Sequence, residues 1–212
     1  KTAYDIEYGL VGSEMFIRDR AHLGDLRNRK VKHMAEDTRT SGSEHAVYLA
    51  LGSNVGDRKR HLQCALRALE KKGARIVLKS DLYSSKPYGY EDQGDFYNMA
   101  VGVLTSLPPF SLLQTLKEVE RECGRNPTFR WGPREIDIDI IFFGNLVLSD
   151  VELTVPHPDF RERDFVLRPL MDIGRMIVDP LTEKTVEELY GLLTTDTCVN
   201  LGSLVAEEGV SD

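Results

Sequence analysis

The chain has 212 residues, of which 41% are hydrophobic and 29% are charged, and its formal net charge is −7. This length suits one well-buried domain with appendages, or two small domains at most. A protein this acidic is not expected to offer a broad surface to nucleic acid or to an anionic membrane, so a polyanion must be bound by locally concentrated basic residues or through a metal.

The cysteine content bears on the cellular compartment. Cys64, Cys123 and Cys198 are scattered and include no Cys-x-x-Cys pair, which favours free thiols over a disulfide framework or a zinc site. No apolar run approaches the roughly 18 residues of a membrane span, and residues 1–20 lack the apolar stretch of a signal peptide. We therefore expect a cytoplasmic protein without a membrane partner.

Residues 1–45 differ in composition from the rest of the chain. They are rich in charged, polar and glycine residues, and we expect an extension that is disordered or non-native. Residues 9–20 resemble the translation of a sequencing adapter, which makes Met34 a candidate for the native start. The alternative is an amphipathic helix that docks on the domain.

Hydrophobic periodicity predicts the elements that follow. In chain order they are a strand at 46–51, a helix between Asp57 and Gly73, a strand at 75–83, a strand at 98–105, a helix between Pro108 and Gly124, and a strand from Glu135 onward. The two helices have the expected signals at their ends: an aspartate cap or a proline pair at the start and a glycine at the stop.

This β-α-β-β-α-β order predicts an α+β protein of the ferredoxin-like type, an antiparallel sheet with two helices on one face. We expect the strand from Glu135 to lie centrally and to form a hairpin with residues 146–148 through Gly144-Asn145. Short helices are predicted at 165–171 and 186–193, so the domain would span 46–195 with a C-terminal hairpin and helix extension. Residues 196–212 would be a tail.

The segment 130–143 has the strongest functional signal. From Glu135 it alternates, which directs Asp137 and Asp139 to one face of a strand and the apolar residues Ile136, Ile138, Ile140 and Phe142 to the core. Two carboxylates about 6.6 Å apart repel each other unless a hard divalent cation binds between them. Arg130 and Arg134, beside a Gly-Pro corner, suit phosphate. Together they indicate a nucleoside triphosphate site, and the alternative is a solvated strand face.

Three further segments offer weaker signals. The long loop 84–97 is rich in aromatics and predicts a lid over a flat ligand, with Phe96 stacking on a ring and Asn98 binding its polar edge; the alternative is a loop whose aromatics pack on the core. The turn at 52–54 follows a strand and precedes a helix, where amides can hold phosphate, but alone it is a capped turn. His157 has no partner at metal-ligand spacing, so zinc is not expected.

Taken in order, these motifs resemble the 6-hydroxymethyl-7,8-dihydropterin pyrophosphokinase family, from about Ala46 to at least Gly174. The most specific match is the basic-aromatic-Gly-Pro-Arg run followed by Asp-x-Asp at 130–141. The segments 52–54, 89–98 and 156–165 also fit. Pro127 is a departure, because relatives often have a basic residue at that position.

The resemblance implies a reaction and a set of site residues. The β,γ-pyrophosphoryl group of ATP, the co-substrate, would move to the hydroxymethyl oxygen of the reduced pterin with release of AMP. Two Mg²⁺ ions would bind Asp137 and Asp139. The implied catalytic residues are Arg125, Arg134, Asp137 and Asp139. The implied ATP-binding residues are Glu120, Arg134, Ile140, His157 and Arg163. The implied pterin-binding residues are Ser85, Phe96, Asn98, Phe165 and, through its backbone, Tyr88.

Two other classes of function stay open at this point. One is a metal-dependent nucleotidyltransferase, which has its own Gly-Ser and Asp-x-Asp, although there the two motifs lie much closer together in sequence. The other is a non-catalytic ferredoxin-like binding module for RNA, against which the acidic composition argues. We expect a monomer whose partners are the small molecules ATP and the pterin.

Overall fold

The centre of the fold is a pair of long antiparallel strands in the computed structural model, which describes residues 44–129 and 131–204. The elements in chain order are β1 (His45–Ser53), α1 (Arg58–Lys71), β2 (Arg75–Lys79), β3 (Tyr83–Ser85), β4 (Phe96–Thr105), α2 (Pro109–Glu122), β5 (Asp137–Phe143), β6 (Leu148–Ser149), β7 (Thr154–Val155), a 3-10 helix (Phe160–Glu162), α3 (Asp164–Gly174), α4 (Val186–Gly191) and β8 (Val199–Asn200).

The main sheet is antiparallel and has the order β5-β1-β4-β3-β8, with β2 also paired to β4. β1 and β4 are apolar on both faces, so both faces must be covered. Leu49 and Val101 contribute to the core that also contains residues of α1 and α2. Tyr48 and Ala100 contribute to a second core with residues of α3 and α4. The result is a mixed α/β domain with helices on both faces of the sheet.

The predicted helix ends are confirmed. The side chain of Asp57 accepts a hydrogen bond from the backbone N–H of Arg60 at 3.1 Å and caps α1. Gly73 and Gly124 follow α1 and α2 with φ of 86° and 94°, a conformation that glycine adopts without strain. Pro109 opens α2.

The predicted place of the Asp-x-Asp strand is wrong. β5 lies at the edge of the sheet, because the longer strands β1 and β4 pair with each other and leave only the outer side of β1 free. The outer side of β5 is met by the backbone N–H of His157, which donates to the carbonyl of Ile141 at 3.1 Å. The predicted hairpin is also wrong, because Leu148 pairs with Val155 and not with β5.

A β-bulge interrupts the alternation of β5. Leu49 faces Ile140 across the strands, whereas Tyr48 faces Phe142, so Ile141 is an extra residue on β5. Beyond the bulge Phe142 therefore packs with α3 and α4, on the opposite face from Ile138 and Ile140. The prediction that Phe142 shares their core was wrong.

The C-terminal boundary predicted at residue 195 is too early. β8 pairs with β3, and Leu204 is buried against the core with 9% exposure. The predicted strand 75–83 is also interrupted between β2 and β3. Ser80 lies outside the regular strand pairing there, and its hydroxyl accepts a hydrogen bond from the backbone N–H of Ala100. Most of the predicted N-terminal extension, residues 1–43, lies outside the described residues, while His45 already belongs to β1.

The prediction of three free thiols is wrong. Cys64 on α1 and Cys123 at the end of α2 form a disulfide with a Cα–Cα distance of 5.8 Å, and Cys198 is free. The two helices pack side by side, which brings together residues separated by 59 positions. The cysteines therefore give no argument for a reducing compartment. Within residues 44–129 and 131–204, no helix is long and apolar enough to span a membrane.

Candidate active site

A cleft of about 250 Å³ opens at the ends of β1, β4 and β5. The loop 86–95, the segment 131–135 and the segment around the 3-10 helix all contribute to its lining. The predicted site residues that line the cleft are Ser85, Tyr88, Phe96, Asn98, Arg134, Asp137, Asp139, His157, Arg163 and Phe165. Residues from distant parts of the sequence are thus brought into one concave site, the usual form of a small-molecule site.

The floor of the cleft is open because β1 has small residues there. Gly52 pairs with Asp137 and Ala50 with Asp139, and paired residues of antiparallel strands share a face. A Cβ atom at Gly52 would lie 3.2 Å from Oδ1 of Asn98, so a larger residue would press into the cleft. The alternation of the small residues Ala50 and Gly52 in β1 is the sequence signal for this floor.

Two arginines neutralise Asp137. Its Oδ1 accepts a hydrogen bond from Nη1 of Arg125 at 2.7 Å, and its Oδ2 lies 3.1 Å from Nη1 of Arg134. Arg125 is also paired with Glu120, whose carboxylate accepts from the backbone N–H of Ile138 at 2.8 Å. Burial raises the pKa of Glu120. This network contacts both oxygens of Asp137 and fixes the orientation of its carboxylate.

Asp139 has a different environment from Asp137. Burial, with the adjacent charge of Asp137, raises the pKa of Asp139 to about 7, and the positive charges of Arg163 and Arg134 only partly oppose this. Two carboxylates from alternate residues of one strand, both lining the cleft, are an all-oxygen donor set that fits a hard divalent cation.

The other end of the cleft is aromatic and amide-lined. Phe96 and Phe165 both line it, and the ring of Tyr88 lies 6.2 Å from that of Phe165. The buried Asn98 donates from Nδ2 to Oγ of Ser85 at 2.8 Å. This end therefore combines apolar faces with a fixed polar pair, which suits a flat heterocycle with polar edges.

His157 and Arg163 face the cleft from the two sides of the 3-10 helix. The backbone N–H of Asp159 donates to Nδ1 of His157 at 3.2 Å, which leaves the proton of a neutral ring on Nε2. Burial, with the positive charge of Arg163, lowers the pKa of His157 to about 4, so the imidazole is neutral at pH 7. Nη2 of Arg163 donates to Asp159 at 2.8 Å.

Asn54 connects the two loops, a role that the sequence did not reveal. Its Oδ1 accepts from the backbone N–H of Arg134 at 2.8 Å, and its Nδ2 donates to Oε1 of Gln93 at 2.8 Å. Gln93 in turn donates to the carbonyl of Trp131 at 2.9 Å. A Cβ atom at Gly89 would lie 3.0 Å from the ring of Trp131, so the loops also pack closely. The turn at 52–54 is therefore more than a capped turn.

Three predicted site residues do not line the cleft. The side chain of Ile140 points away from Asp139 and is buried in the core beside α1 and α2. It therefore cannot contact ATP, and only the main-chain atoms of Ile140 could do so. Glu120 and Arg125 lie behind the cleft and reach it through Asp137. The cleft is also lined by residues outside the predicted catalytic and ligand-binding sets, namely Ala50, Leu51, Gly52, Lys86, Trp131 and Val166. Arg130 lies outside the described residues.

Comparison with known proteins gives a consistent result. Residues 48–175 match the family model described as 7,8-dihydro-6-hydroxymethylpterin-pyrophosphokinase. The chain is 44% identical over 143 residues to the 2-amino-4-hydroxy-6-hydroxymethyldihydropteridine pyrophosphokinase of Bacillus subtilis, which covers 67% of this chain and 86% of that protein. It is 44% identical over 142 residues to the enzyme of the same name from Aquifex aeolicus, covering 67% and 88% of the two chains.

The fold of this chain also resembles that of solved structures. The crystal structure of Plasmodium falciparum HPPK-DHPS with pteroate superposes with a TM-score of 0.60 at 17% identity, over 72% of this chain and 45% of that chain. At this identity the likeness concerns the fold alone.

Proposed function

The chain belongs to the 7,8-dihydro-6-hydroxymethylpterin-pyrophosphokinase family, and we propose that its cleft binds ATP, Mg²⁺ and the reduced pterin side by side. The reaction transfers pyrophosphate from ATP to the hydroxymethyl group of 6-hydroxymethyl-7,8-dihydropterin in folate synthesis. The hydroxymethyl oxygen forms a bond to the β-phosphorus and loses its proton to solvent, the bond from that phosphorus to the α-phosphate oxygen breaks, and AMP leaves with that oxygen. The family match does not favour a nucleotidyltransferase or a binding module.

One observation supports this assignment most strongly. Two carboxylates with arginines lie at one end of the cleft, and two phenylalanines with a buried Asn–Ser pair lie at the other end. A phosphate donor and a flat acceptor bound at these ends would meet above β5. Holding two substrates in this way can supply much of the rate enhancement of a transfer reaction.

Asp137 and Asp139 are the proposed metal ligands. Two carboxylates leave most positions of an octahedral Mg²⁺ to phosphate oxygens and water, as is usual for nucleotide-dependent enzymes. Bound Mg²⁺, two ions in this proposal, would neutralise the charge on the phosphates. Arg134, which lies 3.1 Å from Asp137 and lines the cleft, would lie beside the phosphates that such a metal holds.

The ATP-binding groups are proposed to be Arg134, Arg163 and His157, with Arg125 and Glu120 behind them. Arginine forks suit phosphate oxygens. A neutral His157 would donate a hydrogen bond from Nε2 without adding charge. Catalysis in this proposal is positioning plus electrostatic stabilisation, and no general base is assigned.

The pterin is proposed to lie between Phe96 and Phe165. Asn98 and Ser85 would bind its polar edge, and Tyr88, which is 50% exposed and lies near Phe165, would close over it. The connection of the two loops by Asn54 and Gln93 would keep water out of the cleft during transfer.

Two structural expectations belong to the same proposal. The order β5-β1-β4 with β2 beside β4, and α1 and α2 on one face, supports a ferredoxin-like core. We also propose that the enzyme is a monomer, which light scattering at several protein concentrations would test.

The experiment that tests the function identifies the nucleotide product. The full chain is incubated with ATP, Mg²⁺ and 6-hydroxymethyl-7,8-dihydropterin, and nucleotides are separated by chromatography. AMP that forms only when the pterin is present is the expected result. Formation of ADP would indicate phosphoryl transfer instead, and release of free pyrophosphate would indicate nucleotidyl transfer; either would overturn the proposal.

A further inference from the structure

Asp179 is a fully buried acidic residue outside the cleft. It follows α3, has 0% exposure, and its carboxylate receives four hydrogen bonds. Two come from Arg161, from Nε at 2.7 Å and from Nη2 at 2.9 Å. The others come from the Thr182 hydroxyl at 2.6 Å and the Leu181 backbone N–H at 3.1 Å. Burial alone would raise the pKa of Asp179, but these hydrogen bonds lower it overall.

The partner of Asp179 lies in the segment that presents ATP-binding groups. Arg161 is the middle residue of the 3-10 helix (Phe160–Glu162), between His157 and Arg163. Its guanidinium lies 4.7 Å from the ring centroid of Phe160. A helix of three residues has little stability of its own, so contacts outside the helix must fix its orientation.

Two side-chain contacts fix the 3-10 helix from the side away from the cleft. Phe160 is fully buried and its ring packs edge-on against Phe142 of β5 at 4.9 Å. This apolar contact sets how deep the helix lies, and the backbone hydrogen bond from His157 to Ile141 joins the start of the segment to β5. The two-pronged ion pair of Arg161 with Asp179 is directional, and it therefore constrains the orientation of the helix.

We infer that the Arg161–Asp179 pair is a positioning pair for nucleotide binding, which orients His157 and Arg163 towards the phosphates of ATP without touching substrate. This inference rests on the proposed function, in which His157 and Arg163 bind ATP. The alternative is that the pair only stabilises the loop between α3 and α4, where Asp179 also binds Leu181 and Thr182.

The test measures binding of a non-hydrolysable ATP analogue and, separately, of the pterin, by calorimetry of the full chain. Arg161→Gln removes the guanidinium group and its charge. Arg161→Lys keeps a positive charge beside Asp179 but cannot make the two parallel hydrogen bonds. We expect Arg161→Gln to lower the affinity for the ATP analogue by about tenfold or more, because small misplacements of binding groups are costly. Arg161→Lys should recover part of this loss, and pterin affinity should stay within about twofold of the wild type.

A matched control and a coupling measurement complete the test. Arg175→Gln removes an exposed ion pair with Glu187, whose charged atoms lie 3.7 Å apart, and should change neither affinity. In a His157→Ala/Arg163→Ala background, Arg161→Gln should cause no further loss of analogue affinity, because the groups that it positions are gone. Melting curves confirm that each variant is folded at the temperature of the titrations.

The outcomes separate this inference from the proposed function. If His157→Ala/Arg163→Ala binds the analogue as the wild type does, the assignment of the ATP site fails. The inference is overturned if that variant loses affinity for the analogue but Arg161→Gln does not. It is also overturned if Arg161→Gln weakens the binding of both ligands equally, or if it weakens binding of the analogue as much in the double-alanine background as in the wild type. In each of these cases the pair has only a structural role.

Discussion

Single residues in the cleft have different environments that follow from their position in the sheet. Asp137 is paired with two arginines, whereas the pKa of Asp139 is raised to about 7 by burial with the charge of Asp137 beside it. Two neighbouring carboxylates with such different charge environments are typical of functional sites. The two ends of the cleft adjoin, because Arg134 lies 5.6 Å from the ring centroid of Phe96 and Arg163 lies 5.8 Å from that of Phe165, so a test of either end compares the binding of both ligands.

Phe96→Ala and Phe165→Ala should weaken pterin binding far more than binding of an ATP analogue. Stacking of a flat heterocycle on an aromatic ring is worth on the order of 1–3 kcal/mol, by analogy with base stacking. Calorimetric titration of each variant with each ligand measures the difference, and Phe110→Ala, at an exposed aromatic that is 42% accessible, is the control. Equal losses for both ligands would mean that these rings hold the loops together and do not stack.

His157 should contribute to the loss of stability in acid. Because the folded pKa is about 4, below the ordinary value of 6.5, the unfolded chain binds the proton first as the pH falls. The stability of the folded protein therefore decreases between pH 6.5 and 4, by on the order of 3 kcal/mol at most. His157→Asn should flatten this part of the curve of melting temperature against pH. An unchanged slope would show that His157 is not held neutral.

At the scale of elements, the edge strand β5 and the helix pair α1 and α2 determine where the site lies. The bulge at Ile141 divides β5 into a regular part with the two aspartates and a shifted part that packs with α3 and α4. Arg125 begins the loop just after α2, and the Cys64–Cys123 disulfide holds the end of α2 against α1. The disulfide therefore stabilises the base of that loop.

Replacement of both disulfide cysteines, Cys64→Ser/Cys123→Ser, should lower the free energy of unfolding by about 2–4 kcal/mol. Urea titration compares this variant with Cys198→Ser, which removes only the free thiol and should have little effect. A dithiol reductant should destabilise the wild type by a similar amount and leave the double variant unchanged. If reductant had no effect on the wild type, the two cysteines would not be joined in solution.

The sequence predicted the elements that have regular local patterns. Strict alternation placed Asp137 and Asp139 on one face, and Asp57, Gly73 and Gly124 marked helix ends correctly. The run Ile140–Phe143 is apolar without interruption, so no periodicity could reveal the bulge. The Asn54–Gln93 contact and the disulfide depend on packing between distant segments, which local patterns do not encode. β8 is short and exposed, and it becomes a strand only because β3 offers an open edge.

At the scale of the whole molecule, the two cores on the two faces of one sheet support the two sides of the cleft. The core with α1 and α2 supports Glu120 and Arg125 behind Asp137, whereas the core with α3 and α4 supports the segment with His157 and Arg163. The cleft lies where these parts meet at the ends of the strands. Nothing in the cleft, as the described residues define it, comes from residues before β1.

Deletion of residues 1–33, so that the chain starts at Met34, should leave turnover and melting temperature essentially unchanged. β1 begins only at His45, and no motif of the cleft precedes it. Burial of apolar area stabilises by about 25 cal/mol per Å², so a docked N-terminal helix would have a measurable effect. A fall of several degrees in melting temperature on truncation would show that the segment packs on the domain.

The central claim is that Asp137 and Asp139 form the metal-binding centre of pyrophosphoryl transfer. The most direct measurement is pterin-dependent AMP formation at saturating ATP and Mg²⁺ by Asp137→Ala and Asp139→Ala, with Glu152→Ala, an exposed acid on the β6–β7 hairpin, as the control. We predict that either site variant loses far more than tenfold in turnover, a barrier change well above about 1.4 kcal/mol, while its melting curve shows a folded protein and the control keeps full activity. Turnover within tenfold of the wild type in either folded variant would contradict the account.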